Sequence, residues 1–348
     1  MPRPSHPFRT LLLIACGLCA LATARADLVW APGSGWRVES GALSGLNSKD
    51  AANALDLMNR ARSAEESGHL GSAISTYQKV ARKYSSSIYA PEALYRAGKI
   101  YLQRKQYYKS FDTFQKVITN YPNVRRFDEI VGIQFQIAAA LADGARNHIL
   151  GGAIPFLGSR QRGVSCLELV VVEAPYGNYA PLATLAAARG RERLGDPDVA
   201  IDILDHMINN YSQNVLLPDA YLELGRLHSG LVEGPYYDQD ETKQAMTYYE
   251  DFMILYPGDT SIGTAASGLD SMKSVLAESK MKIGDWYFYK RDNFTAARVF
   301  YNEAITSYPD SAVAKRAKER LAEVDAKASK AAQPPPPAKA GKKRFWLF

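Results

Sequence analysis

The chain has 348 residues and a formal net charge of +6, from 42 Lys and Arg against 36 Asp and Glu. That surplus is confined to the two ends. Three arginines lie in 1–26 and six cations in 327–348, with no acid in either stretch, so the remaining body holds 33 basic and 36 acidic residues. A mildly acidic body excludes a general nucleic-acid binder. Cys166 alone remains outside the first 26 residues, so a disulfide framework is excluded as well.

The first element is a leader over 1–26. Arg3 and Arg9 precede the apolar run "TLLLIACGLCALATA", and Ala24-Arg25-Ala26 is an A-x-A cleavage site ahead of Asp27. A second processing route competes with it. Leu13-Ile14-Ala15-Cys16 fits a lipobox, which would make Cys16 the lipidated first residue. The apolar sequence after Cys16 is unlike a polar tether and favours cleavage after Ala26. No later run of 18 apolar residues reads as a membrane span. The leader thus implies an exported chain.

Residues 27–50 lack repeat character. Trp30 and Trp36 flank "APGSG", and the segment is expected as an extended arm pinned on the first helical hairpin.

From 51 to 326 the chain repeats. With Pro91 as position 1, Leu94, Ala97, Gly98 and Tyr101 fall at positions 4, 7, 8 and 11. Ser110, Phe114, Val117 and Pro122 fall at 20, 24, 27 and 32. This resembles the tetratricopeptide repeat, a helix-turn-helix of 34 residues. Copies start at Ala54, Pro181 and Pro218, and a last copy ends "NFTAARVFYNEAITSYPDS". A poorly registered copy spans 127–175, with helices at about 127–142 and 164–174 separated by "GGAIPFLGSRQRG". The resemblance implies an all-α, right-handed solenoid of five to six hairpins. "SAVAKRAKERLAEVDAKASKA" then forms an amphipathic capping helix, and 327–348 reads as a Pro-rich basic tail.

Two stretches narrow the likeness. "GLVEGPYYDQDETKQAMTYYEDFMILYP" sets an acidic loop before a repeat's second helix, and "SKMKIGDWYFYKRDNFTAARVFYNEAITSYPDS" follows. With the export signal and the repeat number, they resemble the outer-membrane assembly lipoprotein BamD family over about Ala54 to Ala326. The resemblance implies a periplasmic scaffold, at the inner face of the outer membrane, that docks the barrel-forming insertase and contacts the aromatic-ended strands of outer-membrane clients. The weak lipobox, the insertion at 143–163 and the aromatic tail depart from that pattern. A periplasmic adaptor for cell-wall synthesis, division or secretion is the alternative.

No catalytic constellation is present. His69, His148, His206 and His228 are scattered without metal-ligand spacing. Asp238, Asp240 and Glu241 match no calcium loop and suit a helix N-terminus. Neither cofactor nor metal is expected. Tyr107-Tyr108, Tyr236-Tyr237 and Tyr248-Tyr249 are each expected to turn one ring inward and leave the other near the surface.

The candidate binding surface is the inner face of the first helices. Arg62, Lys99, Arg189 and Arg226 occupy position 9, and Met58, Tyr95, Leu185 and Leu222 occupy position 5, with Leu102 at position 12. A basic row beside an apolar row suits an extended or helical peptide with a carboxylate. The competing reading is a solvated face neutralised by Glu92 and Asp219. "AIPFL" at 153–157 is a second candidate contact, for a partner or a membrane, unless it packs on the neighbouring hairpin. Phe345, Trp346, Leu347 and Phe348 end the chain after Lys342, Lys343 and Arg344, as a tethered ligand for an envelope protein, a membrane surface or the protein's own groove.

Overall fold

The computed structural model describes residues 27–39, 46–156 and 158–332. The leader with Cys16, and the tail from 333 with Phe345 to Phe348, lie outside the described residues. Among those described are thirteen α-helices and two short antiparallel hairpins, in two compact units that divide after Gly195.

The first unit opens with β1 (Asp27–Ala31) and β2 (Gly35–Glu39), which pair with Trp30 opposite Trp36. The arm expected over 27–50 is thus a hairpin through residue 39. Gly33 and Gly35 supply the left-handed turn at φ +81° and +72°. Helices α1 (Ser48–Glu66), α2 (Leu70–Lys83), α3 (Tyr89–Gln103), α4 (Tyr107–Asn120), α5 (Phe127–Ala142), α6 (Arg160–Glu173) and α7 (Ala180–Leu194) follow. Each packs on the next, as a linear repeat array requires.

The repeat residues explain that packing. Ser110 Oγ donates to the Gly98 carbonyl at 2.9 Å, clamping α4 on α3. A Cβ on Gly98 would lie 2.9 Å from the Phe114 ring. In the first hairpin the buried pair Ala61 and Ala73 stands at the equivalent positions, beside buried Tyr77. A tyrosine outside helical geometry ends several second helices: the Tyr84 and Tyr121 amides close on the Val80 and Val117 carbonyls at 2.9 Å. Pro122 then keeps Tyr121 out of helical geometry.

The insertion in the third hairpin forms β3 (Asn147–Ile149) and β4 (Ile154–Phe156). The following helix begins at Arg160, four residues before the expected 164, because the Ser159 hydroxyl caps it by accepting from the Arg162 amide at 3.2 Å.

The second unit contains α8 (Pro197–Asn210), α9 (Leu217–Leu231), α10 (Asp240–Leu255), α11 (Ile262–Lys290), α12 (Phe294–Ser307) and α13 (Ala312–Ala332). Its main departure from the sequence reading is α11, a single helix of 29 residues. The first half buries Ala265, Leu269 and Met272 against Tyr249 and Phe252 of α10. The second half buries Ala277, Met281 and Phe288 against Ala297 and Tyr301 of α12. Two hairpins therefore share one rod. Val313, Ala317 and Val324 of α13 complete the second cluster, placing this helix where a cap is needed.

Candidate interaction surfaces

The predicted inner row separates into buried and exposed members. Met58, Tyr95 and Leu185 are core side chains, with exposures of 0%, 5% and 4%. Leu102 and Leu222 are half-buried, while Lys99, Arg189 and Arg226 are exposed. Arg62 is mostly covered. The apolar row therefore does not stand open to a peptide along its length.

The β1–β2 hairpin is one physical reason. It lies on α1 and α3, and Trp36 enters the cluster that holds Met58, Ala61, Ala93 and Ala97. The Trp36 amide donates to Asn59 Oδ1 at 2.7 Å. A Cβ on Gly35 would lie 2.7 Å from that same oxygen, so this approach requires glycine. Guanidinium groups cover both tryptophans, Arg62 at 4.2 Å over Trp30 and Arg96 at 5.3 Å over Trp36. Asp27 pairs with Arg125 just ahead of α5. The arm occupies the first repeat's share of the predicted groove. No local pattern connects Trp36 with Asn59, 23 residues away.

Two cations of the row have acids on their own helices. Arg62 pairs with Glu65 at 3.1 Å and Glu66 at 2.8 Å, and Arg226 with Glu223 at 2.6 Å. Glu92 instead holds Arg96 at 3.0 Å, with Arg126 at 4.0 Å. Burial raises the Glu92 carboxyl above its ordinary range, against the opposing pull of Arg126 and Arg96. Tyr95 donates to Glu129, and Arg126 stacks 4.7 Å from its ring. Position 5 of the second copy is thereby closed by the start of α5.

A different surface stands open in the second unit. The loop 232–239 is organised by the buried amide of Gln239, which donates to the Gly234 and Tyr237 carbonyls at 3.0 and 2.9 Å. Thr242 donates to its oxygen at 3.1 Å. The loop projects Tyr236 and Tyr237, 73% and 60% exposed, so neither turns inward as expected. Lys282 of α11 lies 5.1 Å over Tyr236. One and two turns further along the same helix, Trp286 and Tyr289 are 45% and 49% exposed, with Arg291 and Arg320 stacked on them. The two stretches that carry the narrower resemblance thus touch where Lys282 covers Tyr236, and each exposes further aromatic rings. Their aromatic content was visible in the sequence, but helix packing explained it equally well.

The acidic residues of this loop go to separate partners. Asp238 accepts from the Asp240 amide at 3.1 Å, Asp240 pairs with Lys243 at 2.8 Å, and Glu241 meets His228 Nδ1 at 2.6 Å. His228 stacks on Tyr248, whose hydroxyl donates to Asp205 at 2.6 Å. Among the described residues no group of three or more His, Cys, Asp or Glu converges on a common point. Cys166 is buried, and burial pushes its thiol up to about 11. Among the described residues, no helix is long and apolar enough to cross a membrane.

Comparison with known proteins agrees with this repeat architecture. The tetratricopeptide repeat model matches residues 92–123, the α3–α4 hairpin, and 278–311, the second half of α11 with α12. The chain carries tetratricopeptide repeats, the elements of a protein-interaction scaffold. No curated protein matches it. Similar solved structures include a tetratricopeptide repeat protein from Parabacteroides merdae, at 11% identity and TM-score 0.32, covering 78% of this chain and 98% of that one. A repeat protein from Bacteroides fragilis has 13% identity and TM-score 0.35, covering 68% and 98%. PilW, a type IV pilus biogenesis factor, has 13% identity and TM-score 0.26, covering 78% and 99%. At these scores the structural likenesses carry no functional argument, and none of these proteins bears on the outer-membrane assembly family.

Proposed function

We propose that this chain is an exported, non-enzymatic scaffold that docks partner proteins through the aromatic surface of its second unit. We place its work in the periplasm, at the inner face of the outer membrane, in the assembly of β-barrel proteins. The observation that carries the docking role is Lys282 over the exposed Tyr236, with Tyr237 exposed next to it and Trp286 and Tyr289 exposed one and two turns along the helix of Lys282. Exposed Trp and Tyr rings with Arg291 and Arg320 stacked on them are the side-chain types enriched at protein–protein interfaces. The location and the barrel-assembly role rest on the leader layout and on the sequence resemblance of the two stretches that build this surface.

The test is purification from cross-linked cell envelopes, comparing the native chain with a Trp286→Ala/Tyr289→Ala variant. The proposal expects recovery of the barrel insertase with the native chain and its loss with the variant. Recovery of peptidoglycan synthases, with no insertase, would replace it with the cell-wall adaptor reading. Mass spectrometry of the mature N-terminus tests export: Asp27 or a lipidated Cys16 supports it, and an intact Met1 overturns it.

A further inference from the structure

We infer that the β3–β4 hairpin is a contact site for an anionic lipid surface. Its turn and second strand leave apolar side chains in water: Leu150 is 74% exposed, Ile154 46% and Phe156 54%. For the stretch 153–157 the sequence left open packing on the neighbouring hairpin, and the structure shows its Ile154 and Phe156 projecting instead. Clustered exposed apolar groups mark an interaction site.

The projection is built rather than loose. The His148 amide donates to the Lys105 carbonyl at 2.9 Å, and buried Asn147 accepts from the Tyr108 amide at 3.2 Å. Arg104 donates through Nε to the Gly151 carbonyl. Gly152, at φ +94°, approaches so closely that a Cβ would sit 2.6 Å from the Arg104 carbonyl oxygen. Leu150 is held at φ +47°, an uncommon conformation for a residue with a side chain. Local strain of this kind is retained where the surroundings enforce it.

Charge selects the occupant. Lys105, Arg146 and Arg160 flank the hairpin, are exposed and make no ion pair among the described residues. The nearby acids are engaged, Asp112 by Arg162 at 3.3 Å and Asp143 by Arg193 at 2.8 Å. Exposed apolar side chains flanked by these cations suit the boundary between acyl chains and anionic headgroups. Each cation near such a surface contributes about fivefold to partitioning, equivalent to about 1 kcal/mol.

The experiment is vesicle flotation of the purified protein, as the full chain and with residues 334–348 removed so that the basic aromatic tail cannot account for binding. Vesicles are phosphatidylcholine alone or mixed with phosphatidylglycerol. Both forms are expected to float with the anionic vesicles and to be released by added salt. Ile154→Ser/Phe156→Ser and Lys105→Glu/Arg146→Glu are each expected to cut partitioning at least about tenfold. Since all four side chains are exposed, circular dichroism and melting temperature should match those of the native protein. Equal binding to both vesicle types, no binding by the truncated form, or full binding by folded variants overturns the inference. So does a protein partner held by these same side chains in the absence of lipid binding.

Discussion

The guanidinium of Arg62 lies 4.2 Å above the ring of Trp30, joining the first repeat helix to a strand that precedes it by some thirty residues. Arg62 is simultaneously held by Glu65 and Glu66, so its charge is compensated while its planar face remains available to the ring. Trp36, opposite Trp30, supplies the apolar anchor. A two-stranded hairpin is marginal alone, so its order depends on these contacts. Trp36→Ala should release it. Hydrogen exchange is expected to rise throughout 27–39 while α2 keeps its protection. Unchanged protection at the Trp36 amide would show that Asn59 and the guanidinium stacking hold the hairpin without the indole.

Gly98 tests the repeat packing directly. Alanine would favour the helix by about 1 kcal/mol, but its Cβ would lie 2.9 Å from Phe114, which is fully buried. Overpacking of this kind costs about 1–3 kcal/mol. Gly98→Ala is therefore expected to lower the melting temperature, for a net loss of about 1 kcal/mol after the helix gain. Adding Phe114→Leu should recover part of that loss. Denaturant unfolding of both single variants and the double variant measures the coupling; strict additivity would show that the contact is not limiting.

The contrast between Gly98 and Met58 marks what sequence reveals. Gly98, Ser110 and Phe114 are fixed by contacts within one hairpin, so their spacing alone exposes their roles. Met58 occupies an inner-face position by the same spacing, yet a segment with no repeat character covers it. Tyr95 is closed off by Arg126 and Glu129 of the following hairpin, to which local periodicity is blind. The extent of α11 was hidden for another reason. Residues 262–277 fit no repeat register, and no breaker separates them from the registered copy, so the helix runs through. Tyr236 and Tyr237 both point outward because Gln239 satisfies the loop carbonyls from inside, a hydrogen-bond arrangement that composition does not encode.

Alkaline pH should weaken both units through buried tyrosines. Burial and the neighbouring Glu65 raise the Tyr77 phenol well above its ordinary value. Burial and Asp285 do the same for Tyr301. Below about pH 10 the folded and unfolded states both retain these protons, and the stabilisation is fully present. Above that pH the unfolded chain releases protons that the folded chain keeps, so stability falls as pH rises. Tyr77→Phe and Tyr301→Phe should each flatten this decline. At neutral pH each should lower stability by about 0.5–1.5 kcal/mol for the lost hydrogen bond. Urea unfolding at pH 7 and pH 11 distinguishes the outcomes; equal slopes in the native protein and both variants would reject the assignment.

Cys166 offers a measure of how often α6 opens. Its side chain is 8% exposed, and burial raises its thiol to about 11, with Arg162 opposing and Asp112 reinforcing the shift. At pH 8 only about one thiol in a thousand is then ionised, against roughly a quarter in an unfolded chain with an ordinary thiol. The thiolate is the reactive species, so low ionisation and steric cover act together. Disulfide-exchange labelling of the native protein at pH 8 should run more than about a hundredfold slower than in urea. It should accelerate in parallel with hydrogen exchange of the α6 amides, because opening the helix removes both barriers. Rapid labelling of the folded chain at pH 8 would mean that Cys166 is accessible and ionised in the native state, contrary to its position in the core.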